Sequence, residues 1–250
     1  MYKIAILGCE NSHADTFLDF ILKSKRYTDV EVIGVYSEDT EAAKKLNEKY
    51  GVYTAQSYDE FVGKADGILI TARHGGNHLK YAKPYIKSGV PMFIDKPVTV
   101  SGEEAVLFMR EAKKNNVRIC GSSVGKFLHG VVALAEKVKS GELGTVHGGN
   151  ICAPIEIDSP YGGFYFYTPH LVQMMITIFG GDILEVGAMR QDRDVGIVAK
   201  YRDYPITGSY VSAYRFSFYP FHRYLKFLWQ SRDMQILFCQ NLQGQIRLLR

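Results

Sequence analysis

Cysteine is scarce in this chain, and what there is lies scattered. The 250 residues include four, Cys9, Cys120, Cys152 and Cys239. They form no Cys-x-x-Cys pair and no zinc spacing, which excludes a disulfide scaffold and a zinc module and points to buried free thiols in a reducing compartment. A surplus of one charge is also lacking. Thirty Lys and Arg against 26 Asp and Glu leave a net charge of +4, and the basic residues form no run, so a nucleic-acid partner is not expected. Long apolar runs are missing as well. Met1-Tyr2-Lys3-Ile4-Ala5-Ile6-Leu7-Gly8 reads as a strand rather than the apolar core of a signal peptide, and no stretch could span a bilayer. No membrane partner is expected, and the cytoplasm is the default. What remains, 46% hydrophobic and 22% charged residues, is ordinary globular composition with ample length for a core.

Through residue 121 the pattern alternates strand and helix. Lys3–Leu7, Val30–Tyr36, Gly67–Thr71, Pro91–Ile94 and Val117–Cys120 read as buried strands. Between the first two, Ala14, Phe17, Leu18, Ile21 and Leu22 recur at helical spacing behind an Asn11 or Ser12 cap. A helix from a Thr40 cap to a Gly51 stop follows. Ser57-Tyr58-Asp59-Glu60 and Ser101 to Glu104 read as capping boxes, and His78 to Ser88 as a helix that Pro84 must kink or open. Such alternation means βαβ units, a parallel sheet and helices on both faces. After Gly121 strand-like runs dominate: Thr145–Ile151, Ile183–Met189, Val195–Tyr201, Ile206–Ala213, Tyr224–Trp229 and Met234–Cys239. Helices interrupt them at Leu128–Ser140 and Pro169–Phe179. The expectation is an α/β chain of two domains, a doubly wound parallel sheet over 1–121 and an α+β domain with a mainly antiparallel sheet over 122–250.

Chemistry concentrates at two places. Pro91-Met92-Phe93-Ile94-Asp95-Lys96-Pro97 is an apolar strand that stops at an acid, a lysine and a proline. Lys96 therefore stands at a strand's carboxyl end, where open α/β sheets bind ligands; taken singly it could be a solvated lysine. The first strand–helix turn, Gly8-Cys9-Glu10-Asn11-Ser12-His13-Ala14, occupies the place of a dinucleotide fold's Gly-x-Gly-x-x-Gly, but only Gly8 of that pattern is present, and Glu10 brings a carboxylate toward phosphate oxygens. Asn11, Ser12 and the helix dipole can hold an anion or simply cap. The second strand ends in Ser37, where an acid normally receives the ribose hydroxyls. Thr71-Ala72-Arg73-His74-Gly75-Gly76-Asn77-His78 reads as a loop over a bound nucleotide rather than a metal site. The second place is Tyr161 to His170. Thr168 and Pro169 put His170 in the first turn of a helix, whose positive end favours a neutral imidazole, or else it packs among aromatics.

Together these residues resemble the glucose-fructose oxidoreductase / inositol dehydrogenase / MocA (Gfo/Idh/MocA) family. The most specific part is Asp95-Lys96-Pro97, where the family has Glu-Lys-Pro. Ala65–Thr71 with His78, Ser140-Gly141-Glu142-Leu143-Gly144, and Gly162-Gly163 leading to His170 support it. The resemblance implies an amino-terminal Rossmann domain, NAD or NADP as cofactor, a polyol, sugar or inositol-like substrate, and a homodimer or homotetramer formed through the carboxy-terminal sheet. It implies catalysis by Lys96 and His170; Tyr165 or Tyr167 offers a phenol in place of the family's aspartate, and Tyr167 is the candidate taken. It implies cofactor contacts from Gly8, Glu10, Asn11, Ser12, His13, Ser37, Thr71, Ala72, Arg73, His78, Asp95, Lys96 and Pro97, often with a cis Lys96–Pro97 bond. The chain departs from the pattern at Phe166, where the family has an aspartate, and at Gln173, where another acid is common. A catalytically silent relative that senses a nucleotide or sugar-like ligand is the alternative those departures raise.

Overall fold

The computed structural model describes residues 1–24, 26–212, 228–231 and 234–240, with backbone only for Ser122 and the last two segments. The chain divides into two compact units, one of Met1–Ser122 with Asp158–Phe166, the other of Ser123–Ile157 with the chain from Tyr167 onward. Among the described residues no helix is long and apolar enough to cross a membrane.

The first unit is built on five strands, β1 (Tyr2–Leu7), β2 (Val30–Tyr36), β3 (Gly67–Ile70), β4 (Met92–Asp95) and β5 (Ile119–Ser122). All pair in parallel, in the order β2-β1-β3-β4-β5. Four helices connect them: α1 (Ser12–Lys23), α2 (Thr40–Tyr50), α3 (Gly76–Ile86) and α4 (Gly102–Lys114). Side chains along a strand alternate faces, so a sheet covered on both sides must be apolar at successive positions. β1 shows this directly. Ile6 joins Ala14 and Leu18 of α1 and Ala43 and Leu46 of α2 in one core. Ala5 and Leu7 join Tyr81 and Tyr85 of α3 and Phe108 of α4 in the other. The sheet is thus doubly wound, as the alternation implied, and its strand order reverses at β1, which places a ligand crevice at that strand's carboxyl end.

Local details refine the sequence reading. Asp39, not Thr40, caps α2, its Oδ1 accepting from Ala42 N at 3.0 Å. Ser57 to Glu60 opens turns rather than a helix, because the amides of Glu60 and Val62 bond three residues back, to Ser57 and Asp59. Pro84 falls in the last turn of α3, where loss of one amide interrupts little. β5 begins at Ile119 rather than Val117, since left-handed Asn116 ends α4 and turns the Val117 amide back onto Ala112 O at 2.8 Å.

The second unit contains α5 (His129–Ser140), β6 (Val146–Pro154), α6 (Pro169–Phe179), β7 (Glu185–Gln191), β8 (Asp194–Lys200), β9 (Pro205–Val211), β10 (Leu228–Ser231) and β11 (Met234–Gln240). Its sheet runs β10-β11-β6-β9-β8-β7, antiparallel except for the β6–β9 pair. Leu171, Met174, Met175 and Ile178 form the apolar stripe of α6 and pack with Ile151, Val195, Ala199, Ile206 and Tyr210 of the sheet. Tyr210 Oη donates to Thr168 O at 2.9 Å and pins the start of the helix. Of the expected strands, Ala213 and 224–227 lie outside the described residues.

Gly121 tests the packing of the parallel sheet. A Cβ there would lie 1.9 Å from Ile94 O, a backbone atom of the neighbouring strand. Gly121→Ala is expected to destabilise the protein by about 3 kcal/mol, the range of strained core substitutions. Gly102→Ala, at a helix start with open space around it, should change the urea midpoint little; equal effects would refute the reading.

Candidate active site

The carboxyl ends of the parallel strands are laced together by the turn after β1. Gly8 has φ +87°, and a Cβ on it would lie 2.3 Å from Ala72 N, so the turn can press against the segment after β3 only because the residue is glycine. Thr71 Oγ1 donates to Gly8 O at 2.5 Å, and the Gly8 amide donates to Tyr36 O at 2.7 Å. Asn11 caps α1, its Oδ1 accepting from His13 N at 2.7 Å, while its Nδ2 donates to Thr71 O. Ser12 opens the helix and His13 reaches across to β4, its Nδ1 lying 2.5 Å from the buried Asp95 carboxylate.

Glu10 bridges two strand ends. Its Oε2 accepts from Ser37 Oγ at 2.9 Å, just past β2, and its Oε1 from Arg73 N at 2.9 Å, past β3. Ser37, buried, also accepts from Cys9 N at 3.2 Å. Burial, then the charge of Glu10, pushes the Cys9 thiol up to about 12, so it stays protonated and is no nucleophile. The two loop histidines serve the backbone: His74 Nδ1 accepts from Gly76 N at 3.0 Å, and the fully buried His78 donates from Nε2 to Ala72 O at 2.8 Å. Burial lowers the His78 pKa, so this strut is neutral. Among the described residues no group of three His, Cys, Asp or Glu could hold a metal.

Lys96 follows β4 and is joined to Pro97 by a cis peptide bond. Its Nζ lies 4.4 Å from the centroid of the Phe166 ring. Arg73 stacks on the same segment, its guanidinium 4.0 Å from Tyr161 and 5.9 Å from Phe166. Desolvated cation–π contacts of this kind contribute about 1–2 kcal/mol. The first unit therefore brings together Gly8, Glu10, Asn11, Ser12, His13, Ser37, Thr71, Ala72, Arg73, His78, Asp95, Lys96 and Pro97, with Phe166 and Tyr161 laid against the two cations.

The second unit holds its own cluster. His170 stands in the first turn of α6 and its Nδ1 is hydrogen-bonded to Ser123 Oγ. Gln173, one turn on, accepts from Ser123 N at 2.7 Å. The Ser123 hydroxyl also accepts from Gly125 N at 3.0 Å, so its proton is available to the imidazole. Tyr167 packs its ring 5.4 Å from that of His170. Sequence reasoning missed Ser123, which lies 47 positions from His170 and carries no motif, and it missed the Lys96–Phe166 and Arg73–Tyr161 pairs. The apolar Tyr161–Tyr167 run was the available signal for the pairs.

Comparison with known proteins follows the same division. Three solved structures share the fold at low identity. Apo scyllo-inositol dehydrogenase from Lactobacillus casei is 14% identical with a TM-score of 0.69, over 84% of this chain and 68% of its own. An NAD-binding protein from Listeria innocua is 16% identical with a TM-score of 0.71, over 84% and 67%. The WlbA dehydrogenase from Chromobacterium violaceum, in complex with NADH and UDP-GlcNAcA, is 16% identical with a TM-score of 0.70, over 84% and 66%. This chain thus spans about two thirds of their lengths. No curated protein sequence matches it. The profile of the GFO_IDH_MocA oxidoreductase family, with its NAD-binding Rossmann fold, matches residues 2–122. That segment is the doubly wound sheet, and it is this part of the chain that matches the Gfo/Idh/MocA oxidoreductase family.

Proposed function

We propose that the protein is an NAD(P)-dependent oxidoreductase that moves a hydride between a nicotinamide and a hydroxylated small molecule of the polyol, sugar or inositol kind. The observation that carries the reading is Lys96, which follows β4, the strand next to the β1/β3 point where the strand order reverses. The residues around that point suit a dinucleotide. Gly8 supplies the tight turn, α1 presents its amino terminus, and Glu10 sets a carboxylate at the end of β2. Tyr81 adds a hydroxyl that is fully buried and has no hydrogen-bond partner among the described residues.

A bound nicotinamide would supply the hydride acceptor. The chain's part is to hold the substrate oxygen and to move its proton. The Lys96 ammonium is a compact donor that can orient that oxygen. His170 is the group to take the hydroxyl proton, directly or through Lys96. Its Nδ1 bond to Ser123 fixes the ring, as an orienting partner does for a catalytic base. Tyr167, ring to ring with His170, is the candidate phenol. The inositol in the name of the Lactobacillus casei protein and the UDP-GlcNAcA bound to the Chromobacterium violaceum one favour the polyol and sugar class. The silent-relative reading draws on one observation, that the ring of Phe166, at the family's aspartate position, faces the Lys96 ammonium. It keeps ligand binding and drops turnover.

Titration with NADH and NADPH, followed by nicotinamide fluorescence, should give micromolar binding of at least one, a dissociation constant on the order of 1–100 μM. Folded protein that binds neither would retire the reading. With a substrate found by screening polyols and sugars, Lys96→Ala should lower kcat by roughly 10²–10⁴-fold and leave cofactor affinity within about tenfold; an unchanged kcat removes Lys96 from the chemistry.

We also propose a homodimer or homotetramer formed through the sheet of the second unit. Met189 and Val198 project from the face opposite the α6 stripe and are exposed, 71% and 46%. Sedimentation velocity should return a dimer or tetramer for the natural chain and a smaller species for Val198→Asp. A natural chain that sediments as a monomer would sink this part.

A further inference from the structure

A dinucleotide bound to a doubly wound sheet is read at its adenosine ribose by an acid at the end of the second strand. Here that strand ends in Ser37, and the acid comes from another place in the chain. Glu10, from the turn after β1, sets its carboxylate 2.9 Å from Ser37 Oγ and 2.9 Å from Arg73 N. Ser37 is 4% exposed and its hydroxyl accepts from Cys9 N, so its proton is directed at Glu10. Two donors therefore fix the carboxylate, and a carboxylate has about four acceptor positions. Glu10 is half-buried, and its carboxylate has acceptor capacity beyond those two bonds for the vicinal hydroxyls of a ribose.

Charge at this corner runs one way. Ser37 is followed by Glu38 and Asp39 just past β2. Lys80 is engaged by Glu38, and the Arg73 guanidinium lies 4.0 Å from the centroid of the Tyr161 ring. Asp39 is held by the Ala42 amide as the cap of α2. A 2′-phosphate carries a charge of about −1.5 to −2 at pH 7. Set at the end of β2, it would meet the Glu10 carboxylate, with Glu38 and Asp39 beyond. The 2′-hydroxyl of NAD would meet the same carboxylate as a hydrogen-bond acceptor.

We propose that Glu10 takes over the ribose-reading role that Ser37 vacates, accepting from the adenosine ribose hydroxyls and excluding a 2′-phosphate, so that this protein selects NAD over NADP. The proposal rests on the oxidoreductase reading above. The carboxylate's reach from the first turn to the second strand end turns the unusual acid in the glycine loop into the specificity element.

The test is fluorescence titration of the natural protein and of Glu10→Gln and Ser37→Ala with NADH and NADPH. Circular dichroism and a melting curve are recorded for each. The natural protein should prefer NADH by at least about 30-fold at low salt, and the preference should narrow at about 0.5 M salt as charges are screened. Glu10→Gln keeps the size and loses the charge, so NADPH affinity should rise about tenfold or more while NADH weakens severalfold. Ser37→Ala should erode the preference less. Equal affinities in the natural protein would overturn the proposal and leave the oxidoreductase reading intact. So would a Glu10→Gln variant that gains both cofactors by the same factor, because the carboxylate would then be an obstruction rather than a selector. Binding of neither cofactor by folded natural protein would defeat both.

Discussion

The close approach of the turn after β1 to the segment after β3 is the constraint on which the crevice depends. Gly8 adopts a conformation closed to most side chains and leaves no room for a Cβ beside Ala72. Once the backbones meet there, Thr71 bonds Gly8 and Asn11 bonds Thr71, while Glu10 spans Ser37 and Arg73. His13 is carried far enough to reach Asp95 on β4. A single turn thereby cross-links the ends of four strands. Loss of two glycines from the expected pattern did not empty the loop; it replaced a bare backbone with side chains that hold the neighbouring strands.

The environment of Lys96 follows a different trade. A carboxylate beside a lysine stabilises the ammonium strongly and gives the proton a second site. An aromatic face stabilises the ammonium by about 1–2 kcal/mol when desolvated and cannot take a proton. The Phe166 ring that lies against Lys96 is of the second kind. In the second unit, His170 is held by a hydrogen bond of its own. Ser123 is fastened to α6 twice, through His170 Nδ1 and through Gln173 Oε1. Gln173 stands where the family commonly has an acid, and here its amide oxygen holds a backbone amide and so fixes the hydroxyl that orients the histidine.

The fold was legible because its signals are local. Apolar strands that end in turn residues, capping residues such as Ser101 and the left-handed stop at Gly51 appear in the order in which the chain uses them. Boundaries failed where a tertiary bond overrode a propensity, as at Val117, whose amide closes the preceding helix. Ser57–Glu60 failed for a nearer reason, since Glu60 spends its carboxylate on the Gln56 amide and the segment stays in turns. The site was legible as a set of positions but not as a set of roles. Glu10 read as a repulsive substitution because its partners, Ser37 and Arg73, are 27 and 63 positions away. Nothing in the sequence records that pairing.

Roles in such a crevice belong to places in space rather than to places in a motif. An acid that reads a ribose needs to lie near the end of β2, and the chain can deliver it from β2 itself or from the turn beside it. Delivery from the turn has a structural consequence that delivery from β2 lacks. The same carboxylate then bonds Arg73 N and ties the ligand-facing loop to the strand end, so removal of its charge loosens a loop as well as a contact. A carboxamide keeps one acceptor oxygen, enough for one of the two donors, whereas a methyl group can accept from neither. The contrast between those two replacements separates the electrostatic role of Glu10 from its structural one, and that separation is why a motif lost from the sequence need not be a function lost from the fold.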